Sequence, residues 1–299
     1  MAHEEASDEE WLADVRAIVA AKAPELVPLF EVYEGEARFG RQFIDRDLAV
    51  LPRGAAILEV GAGCMLLSCQ LVREGYDVTA LEPGGTGFSH LSKLRSLVME
   101  RAAAMNCMPS IVDRRVEDLS VRDAFEYAFS INVMEHVDDI QASLAAICDA
   151  VKSGGSCRFT CPNYLFPYEP HFNMPTLLSK TLTGIVMQSR IRARESMPDA
   201  AGIWASLNWI NPWVIRRSLA GRADVHVLFD RRVVVRALER LTTDPGFAKR
   251  RSPVMARALS WLVRSRMHRG LGLFPVATQP LIDCTLTKLA HGEASEWRR

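Results

Sequence analysis

Paired cysteines are what this sequence most plainly lacks. Its seven cysteines stand at Cys64, Cys69, Cys107, Cys148, Cys157, Cys161 and Cys284. An odd number without paired CxxC spacing argues against both a disulfide framework and a zinc site. Excess charge is missing too. Thirty-six Lys and Arg balance 36 Asp and Glu, so no global field marks a nucleic-acid binder, and none is expected as a partner. No stretch reaches the roughly 18 apolar residues of a membrane-spanning helix. The acidic N-terminus has no signal-peptide pattern. Internal repeats and low-complexity segments are absent as well. These absences leave a reduced, cytoplasmic, globular protein as the expectation.

What is present is ordinary in amount and uneven in placement. The 299 residues are 48% hydrophobic, enough for one large domain with elaborations. Residues 1–14 hold six acidic side chains and no Lys or Arg, whereas residues 231–269 hold eleven Lys or Arg against Glu239 and Asp244. Helical spacing runs through residues 8–31 and again through 36–51, so residues 1–52 are expected to be N-terminal helices. Strands and helices then alternate. Ala55–Val60 reads as a strand, followed by a helix through Leu66 and Leu71 that stops at Gly75. Asp77–Leu81 is a strand, Gly87–Met105 a helix, Ser110–Val116 and Tyr127–Asn132 two more strands. A helix with Val137, Ile140, Leu144, Ile147 and Val151 ends at Gly154-Gly155, before a strand at Ser156–Cys161. This alternation predicts an α/β fold: a doubly wound, mostly parallel, seven-stranded sheet with helices on both faces. Residues 53–162 form the core of it. After Pro162 the rhythm breaks. Residues 163–222 read as a cap insertion, and 223–299 as two last strands, Ala223–Phe229 and Leu281–Lys288, around a basic helical insertion at 230–279.

In an open parallel sheet, ligands bind beyond the carboxyl ends of the strands, where the strand order reverses. Gly61 and Gly63 lie in the turn after the first strand, where glycine lets backbone pass close to a ligand. Glu82 ends the second strand, 19 residues after Gly63, where a carboxylate can accept from both ribose hydroxyls. These features fit a dinucleotide or a nucleoside. The dinucleotide fingerprint wants a third glycine where Leu66 stands, and no YxxxK pair follows the fourth strand.

Five segments in series resemble the class I S-adenosylmethionine-dependent methyltransferases: ILEVGAGC (57–64), TALEP (79–83), VEDL (116–119), YAFSINVMEHV (127–137) and the Gly154-Gly155 turn. The resemblance covers about residues 36–163. It departs from the family at Met65, where a third glycine is frequent. It implies S-adenosyl-L-methionine as cofactor, with the Glu59–Gly63 turn, including Glu59, Gly61 and Gly63, on the methionine part and Glu82 on the ribose. It places Asp118 at the adenine amine, with neighbouring Glu117 as the alternative reader, and Asn132 beside the sulfonium.

Methyl transfer to oxygen needs an acceptor held in line and a base for its proton. His136, in MEHV, and His171, in the proline-stiffened NYLFPYEPHF segment, are the candidates, with Tyr168 as a further one. His136 reads more readily as a packing or capping residue. His171 reads equally as base or as loop anchor. Ubiquinone-pathway O-methyltransferases resemble this chain around Glu135-His136, and some carry another Glu three residues before that Glu. Asn132 stands there instead, so no metal is expected.

Both insertions follow strands whose carboxyl ends face the active-site edge. Trp204, Trp209, Trp213, Tyr164, Tyr168 and Phe166 in the first suit a large or ring-bearing acceptor, or else form the core of a helical cap. Arginines at 250, 251, 257, 264, 266 and 269, set among Met255, Leu259, Trp261, Leu262 and Val263, suit an anionic surface. The acceptor expected is a small molecule, a sugar or a lipid-linked compound, with peripheral membrane-surface contact through 250–269. RNA or protein methylation and non-catalytic cofactor binding are the alternatives. The sequence leaves the oligomeric state unset.

Overall fold

A computed structural model of the chain describes residues 2–84, 91–177, 179–193, 200–243 and 253–290. Helix α1 (Ala2–Lys22) and α2 (Val27–Leu48) precede the sheet. The sequence put a break only near residue 31, but Pro24 sets it earlier. Proline lacks an amide hydrogen and disfavours helix in the residue before it, so α1 ends and a 3-10 turn, Pro24–Leu26, leads into α2.

The alternation that follows is β1 (Ala56–Val60), α3 (Leu66–Arg73), β2 (Asp77–Leu81), α4 (Ser92–Ala104), β3 (Ser110–Val112), β4 (Phe125–Ile131), α5 (Ile140–Ala150) and β5 (Val151–Pro162). Among the described residues, four short helices lie in the 163–222 segment expected to be a cap: α6 (Lys180–Val186), α7 (Gln188–Arg192), α8 (Ala200–Ser206) and α9 (Pro212–Ser218). The chain returns through β6 (Val225–Phe229), α10 (Val233–Thr243), α11 (Pro253–Arg264) and β7 (Leu281–Lys288). The seven strands lie in the order β3-β2-β1-β4-β5-β7-β6. Neighbours from β3 to β5 run parallel, and β7 runs antiparallel to both β5 and β6. The expected mostly parallel, doubly wound α/β sheet is the one observed.

Both faces of the sheet are covered, which is why its strands read as near-continuous apolar runs. Successive side chains point to opposite faces. Ile57, Tyr127 and Phe129 pack with Trp11, Phe30, Ile44 and Leu94 from the first four helices. Leu58, Val60, Ala128 and Phe159 pack with Leu144, Ile147, Ile210 and Ile215 on the other side. The Trp11 indole also donates to the Leu66 carbonyl at 3.0 Å, tying α1 to the start of α3.

Two local readings are corrected. Gly154-Gly155 do not end the helix before a strand. They lie inside β5, where the pairing with β4 shifts between Phe125↔Val151 and Tyr127↔Ser156. A side chain at Gly155 would approach the Glu126 carbonyl to 2.6 Å, so the bulge needs a glycine there. β3 stops at Val112 rather than Val116, because the chain turns into a short 3-10 helix, Val116–Asp118. The start of the Gly87–Met105 helix lies outside the described residues, and α4 begins at Ser92.

Candidate active site

The carboxyl ends of β1, β2 and β4 meet where the strand order reverses, and Gly61 and Gly63 sit there. Both have positive φ, +78° and +54°, a region open to glycine at no steric cost. A side chain at Gly61 would run into Val133, whereas at Gly63 it would enter open space. The Gly61 amide donates to the Leu81 carbonyl at 2.8 Å, holding the turn against β2. The Gly63 amide donates to Glu82 Oε2 at 2.9 Å. Glu82 is half-buried, and burial raises its pKa against the pull of that amide. Glu59 is buried beneath the turn, where Ser68 Oγ donates to it. Burial pushes its pKa up to about 8.

Glu117 and Asp118 separate in role. Glu117 Oε1 accepts the amides of Asp138 at 2.8 Å and Asp139 at 3.2 Å, so it is spent on the turn before α5. Asp118 is exposed and lies 3.5 Å from Arg115 Nε. Asn132 follows β4 in the left-handed region, with φ +55°, and its Nδ2 donates to Glu36 Oε2 at 3.2 Å.

The glutamate partner of Asn132 comes from α2, which sequence reasoning kept outside the site. Tyr33 lies one turn earlier on the same helix. Burial, then Cys64, Glu36 and Glu82, raise its pKa, so its ring is packed among the groups of the glycine turn. Arg95 on α4 is likewise near enough to Glu82 to oppose the rise in its pKa. The available signal was spacing: Tyr33 and Glu36 share a face of α2 with Gly40, where an added Cβ would lie 2.8 Å from Leu67.

Two histidines from distant segments meet in a second cluster. His171 Nδ1 lies 2.6 Å from Glu169 Oε1. Glu169 is fully buried and also accepts from the Phe172 amide at 2.6 Å and the Tyr164 hydroxyl at 3.2 Å. His136 Nδ1 lies 2.8 Å from Ser206 Oγ in the cap. Burial, with His171 next to it, lowers the His136 pKa to about 4. The two rings meet edge to face, 5.1 Å apart. Beside both is Glu135, 0% exposed, whose pKa burial raises to about 7. The absence of a metal was expected because Asn132 offers no third ligand along the sequence. The fold brings His171 to Glu135-His136 instead, and donor atoms of all three lie within 4.8 Å.

Tyr168, the third candidate base, is exposed, and its hydroxyl donates to Asn173 Oδ1. The cap aromatics mostly pack on one another. Tyr164 stacks on Trp209 at 4.4 Å, and Trp204 meets Trp209 and Phe172 edge-on, each at 5.7 Å. Trp213 is exposed.

A methyltransferase domain matches residues 58–159. An uncharacterized protein of Mycobacterium tuberculosis is 46% identical over 278 residues, covering 93% of this chain and 94% of that protein. The ubiquinone biosynthesis O-methyltransferase of Paramagnetospirillum magneticum is 34% identical over 122 residues, which span 40% of this chain and 44% of that enzyme. Among solved structures, phosphoethanolamine N-methyltransferase 2 of Haemonchus contortus, in complex with S-adenosyl-L-methionine, superposes with a TM-score of 0.46 and 14% identity over 82% of this chain and 52% of that one. The matched domain runs from β1 into β5 and takes in every residue of the glycine turn and its two acids, so the chain belongs to the class I S-adenosylmethionine-dependent methyltransferases.

Proposed function

We propose that the enzyme transfers the methyl group of S-adenosylmethionine to a hydroxyl oxygen of a small-molecule, sugar or lipid-linked acceptor. The His171–Glu169 pair carries this reading. Oxygen must lose its proton as the new carbon–oxygen bond forms, so a held base and in-line positioning supply much of the rate. The buried Glu169 fixes Nδ1 of His171 and leaves Nε2 on the Glu135 side, 3.9 Å from Oε1. That nitrogen is the proton acceptor, and Glu169 is its positioning residue. His136, tied to Ser206, shapes the same wall from the cap.

The donor side fits the cofactor. Open space above Gly63 and the glycine turn suit the methionine part, and Glu82, anchored by the Gly63 amide, suits the ribose hydroxyls. Glu59 supports the turn from below. With Glu117 engaged in structure, Asp118 is the reader of the adenine amine, and Asn132 stands on the sulfonium side. The cofactor supplies an activated methyl group; these residues hold it and shut out water.

One exposed face favours an acceptor presented at a lipid surface. Trp261, 62% exposed, projects from α11 between exposed Arg257 and Arg264, and Met267, Leu273 and Phe274 are exposed just after it. Each basic side chain near an anionic bilayer contributes about 1 kcal/mol. Lys249, Arg250 and Arg251, which the sequence added to this face, lie outside the described residues. No helix among the described residues is long and apolar enough to cross a membrane.

Labelled-methyl transfer into a lysate separated into lipid, small-molecule, RNA and protein fractions tests the reading. Label in hydroxyl-bearing lipids or small molecules is expected. Label in RNA or protein, or none despite bound cofactor, overturns it. Co-sedimentation with phosphatidylglycerol vesicles, reversed by salt and lost with Arg257→Glu and Arg264→Glu, tests the surface contact. Equal recovery in the supernatant with anionic and neutral vesicles removes it.

A further inference from the structure

Glu135 stands apart among the described residues: both of its carboxylate oxygens are buried without a hydrogen-bond partner. Nature tolerates that arrangement rarely, since a buried polar atom left unsatisfied is costly. Its neighbours explain what is missing. Nε2 of His171 lies 3.9 Å and Nε2 of His136 lies 4.0 Å from Glu135 Oε1. Both rings have their tautomer set from behind. Ser206 Oγ donates its hydrogen to the Ile203 carbonyl at 2.9 Å, so at His136 it accepts, and Nδ1 of that ring carries the hydrogen. Glu169, a carboxylate already accepting from Phe172 and Tyr164, makes Nδ1 of His171 the donor as well. In the neutral rings both Nε2 atoms therefore present lone pairs on the side of the orphaned carboxylate. Three acceptors converge, and what satisfies such a group is a cation.

We infer that Glu135, His136 and His171 form a binding site for one divalent transition-metal ion of the zinc type. Two imidazole nitrogens and one carboxylate are a donor set suited to Zn²⁺ or Co²⁺, and three protein ligands leave an open position for substrate or water. Metal-bound histidines characteristically donate their other ring nitrogen to a carboxylate or another oxygen, and Glu169 and Ser206 occupy those places here. Ligands about 2.0–2.1 Å from a tetrahedral metal lie roughly 3.3–3.5 Å from one another. The three donor atoms, all within 4.8 Å, reach that spacing by small side-chain rotations. This rests on the methyl-transfer reading and revises its base: with the ion bound, His171 Nε2 would be a ligand, and the acceptor hydroxyl, bound at the open position, would have its pKa lowered by the ion and lose its proton to solvent.

The test uses chelator-treated full-length protein without cofactor or acceptor, so its failure leaves the methyl-transfer reading standing. Titration with ZnCl₂ by calorimetry, and with CoCl₂ by visible absorption, is expected to show one equivalent bound, with the ligand-field bands of a low-coordinate cobalt site. Glu135→Gln and His171→Ala should each weaken binding at least about 100-fold, and Ser206→Ala by about 10–100-fold, the usual loss for a ligand's supporting partner. Far-UV circular dichroism checks that each variant is folded. If Glu135→Gln fails to fold, His171→Ala and Ser206→Ala decide alone. Absence of binding at micromolar metal, or binding that survives His171→Ala, overturns the inference; the second result assigns the metal to other groups.

Discussion

Two buried charged centres lie near the middle of the sheet, and they are completed to different degrees. At Arg158 on β5 every partner is internal. Its Nε and Nη2 reach the two oxygens of Asp283 at 2.9 and 2.8 Å, and Nη1 reaches Asp47 at 2.9 Å and the Phe43 carbonyl at 2.8 Å. The guanidinium also lies over the Phe43 ring, 4.1 Å from its centre. Tyr127 donates to Asp47 and Arg236 to Asp283, closing the network. At Glu135 the carboxylate is as deeply buried, yet neither oxygen is satisfied. A centre whose partners are all internal clamps α2 to the sheet between β4, β5 and β7. A centre with acceptors left over is built for something that arrives from outside.

Removing a member from each centre should separate stability from function. Arg158→Ala leaves buried Asp283 with Arg236 alone and Asp47 with Tyr127 alone, and should cost about 3–5 kcal/mol of stability, read from urea unfolding. A loss below about 1 kcal/mol, the range of exposed pairs, would erase the contrast. His171→Ala should lower turnover by roughly 10²–10⁴-fold with cofactor affinity and melting temperature nearly unchanged. If that variant instead melts early or loses cofactor, His171 is the loop anchor and the cluster is structural after all.

A smaller effect sharpens the comparison on the donor side. Glu59 has a folded-state pKa of about 8, above the ordinary 4.5, because of burial. Such a group contributes stability that is fully present below its unfolded pKa and is lost as pH rises through the folded one. The wild-type protein should therefore lose melting temperature between about pH 5 and pH 8.5. Glu59→Gln, which has no proton to lose, should show a flatter profile and melt above wild type at about pH 8.5, by a few degrees. Parallel profiles would mean that Glu59 is ionised in the fold at neutral pH.

The clustering of the glycine turn with Glu82 was legible because its parts are local. Gly61, Gly63 and Glu82 end consecutive strands, and each strand declares itself by a short apolar run. The histidine cluster and the partner of Asn132 depend on contacts that no local pattern encodes. His171 reaches Glu135 across the end of the sheet, Ser206 reaches His136 from a cap helix 70 residues on, and Glu36 reaches Asn132 across 96 residues. The expectation of no metal rests on neighbours along the chain, where Asn132 offers no ligand, whereas the donor atoms of Glu135, His136 and His171 come together only through the fold. Gly154-Gly155 misled for a related reason, since a glycine pair reads as a helix stop unless the shift in β4–β5 pairing is known.

The central claim is that the Gly61–Gly63 turn and Glu82 hold a nucleoside cofactor without a pyrophosphate, and titration calorimetry with S-adenosylhomocysteine tests it most directly. One equivalent should bind, Glu82→Ala should weaken that binding by about 1–3 kcal/mol, and NAD should give no heat of binding. Tight binding of NAD together with no response to S-adenosylhomocysteine would contradict it.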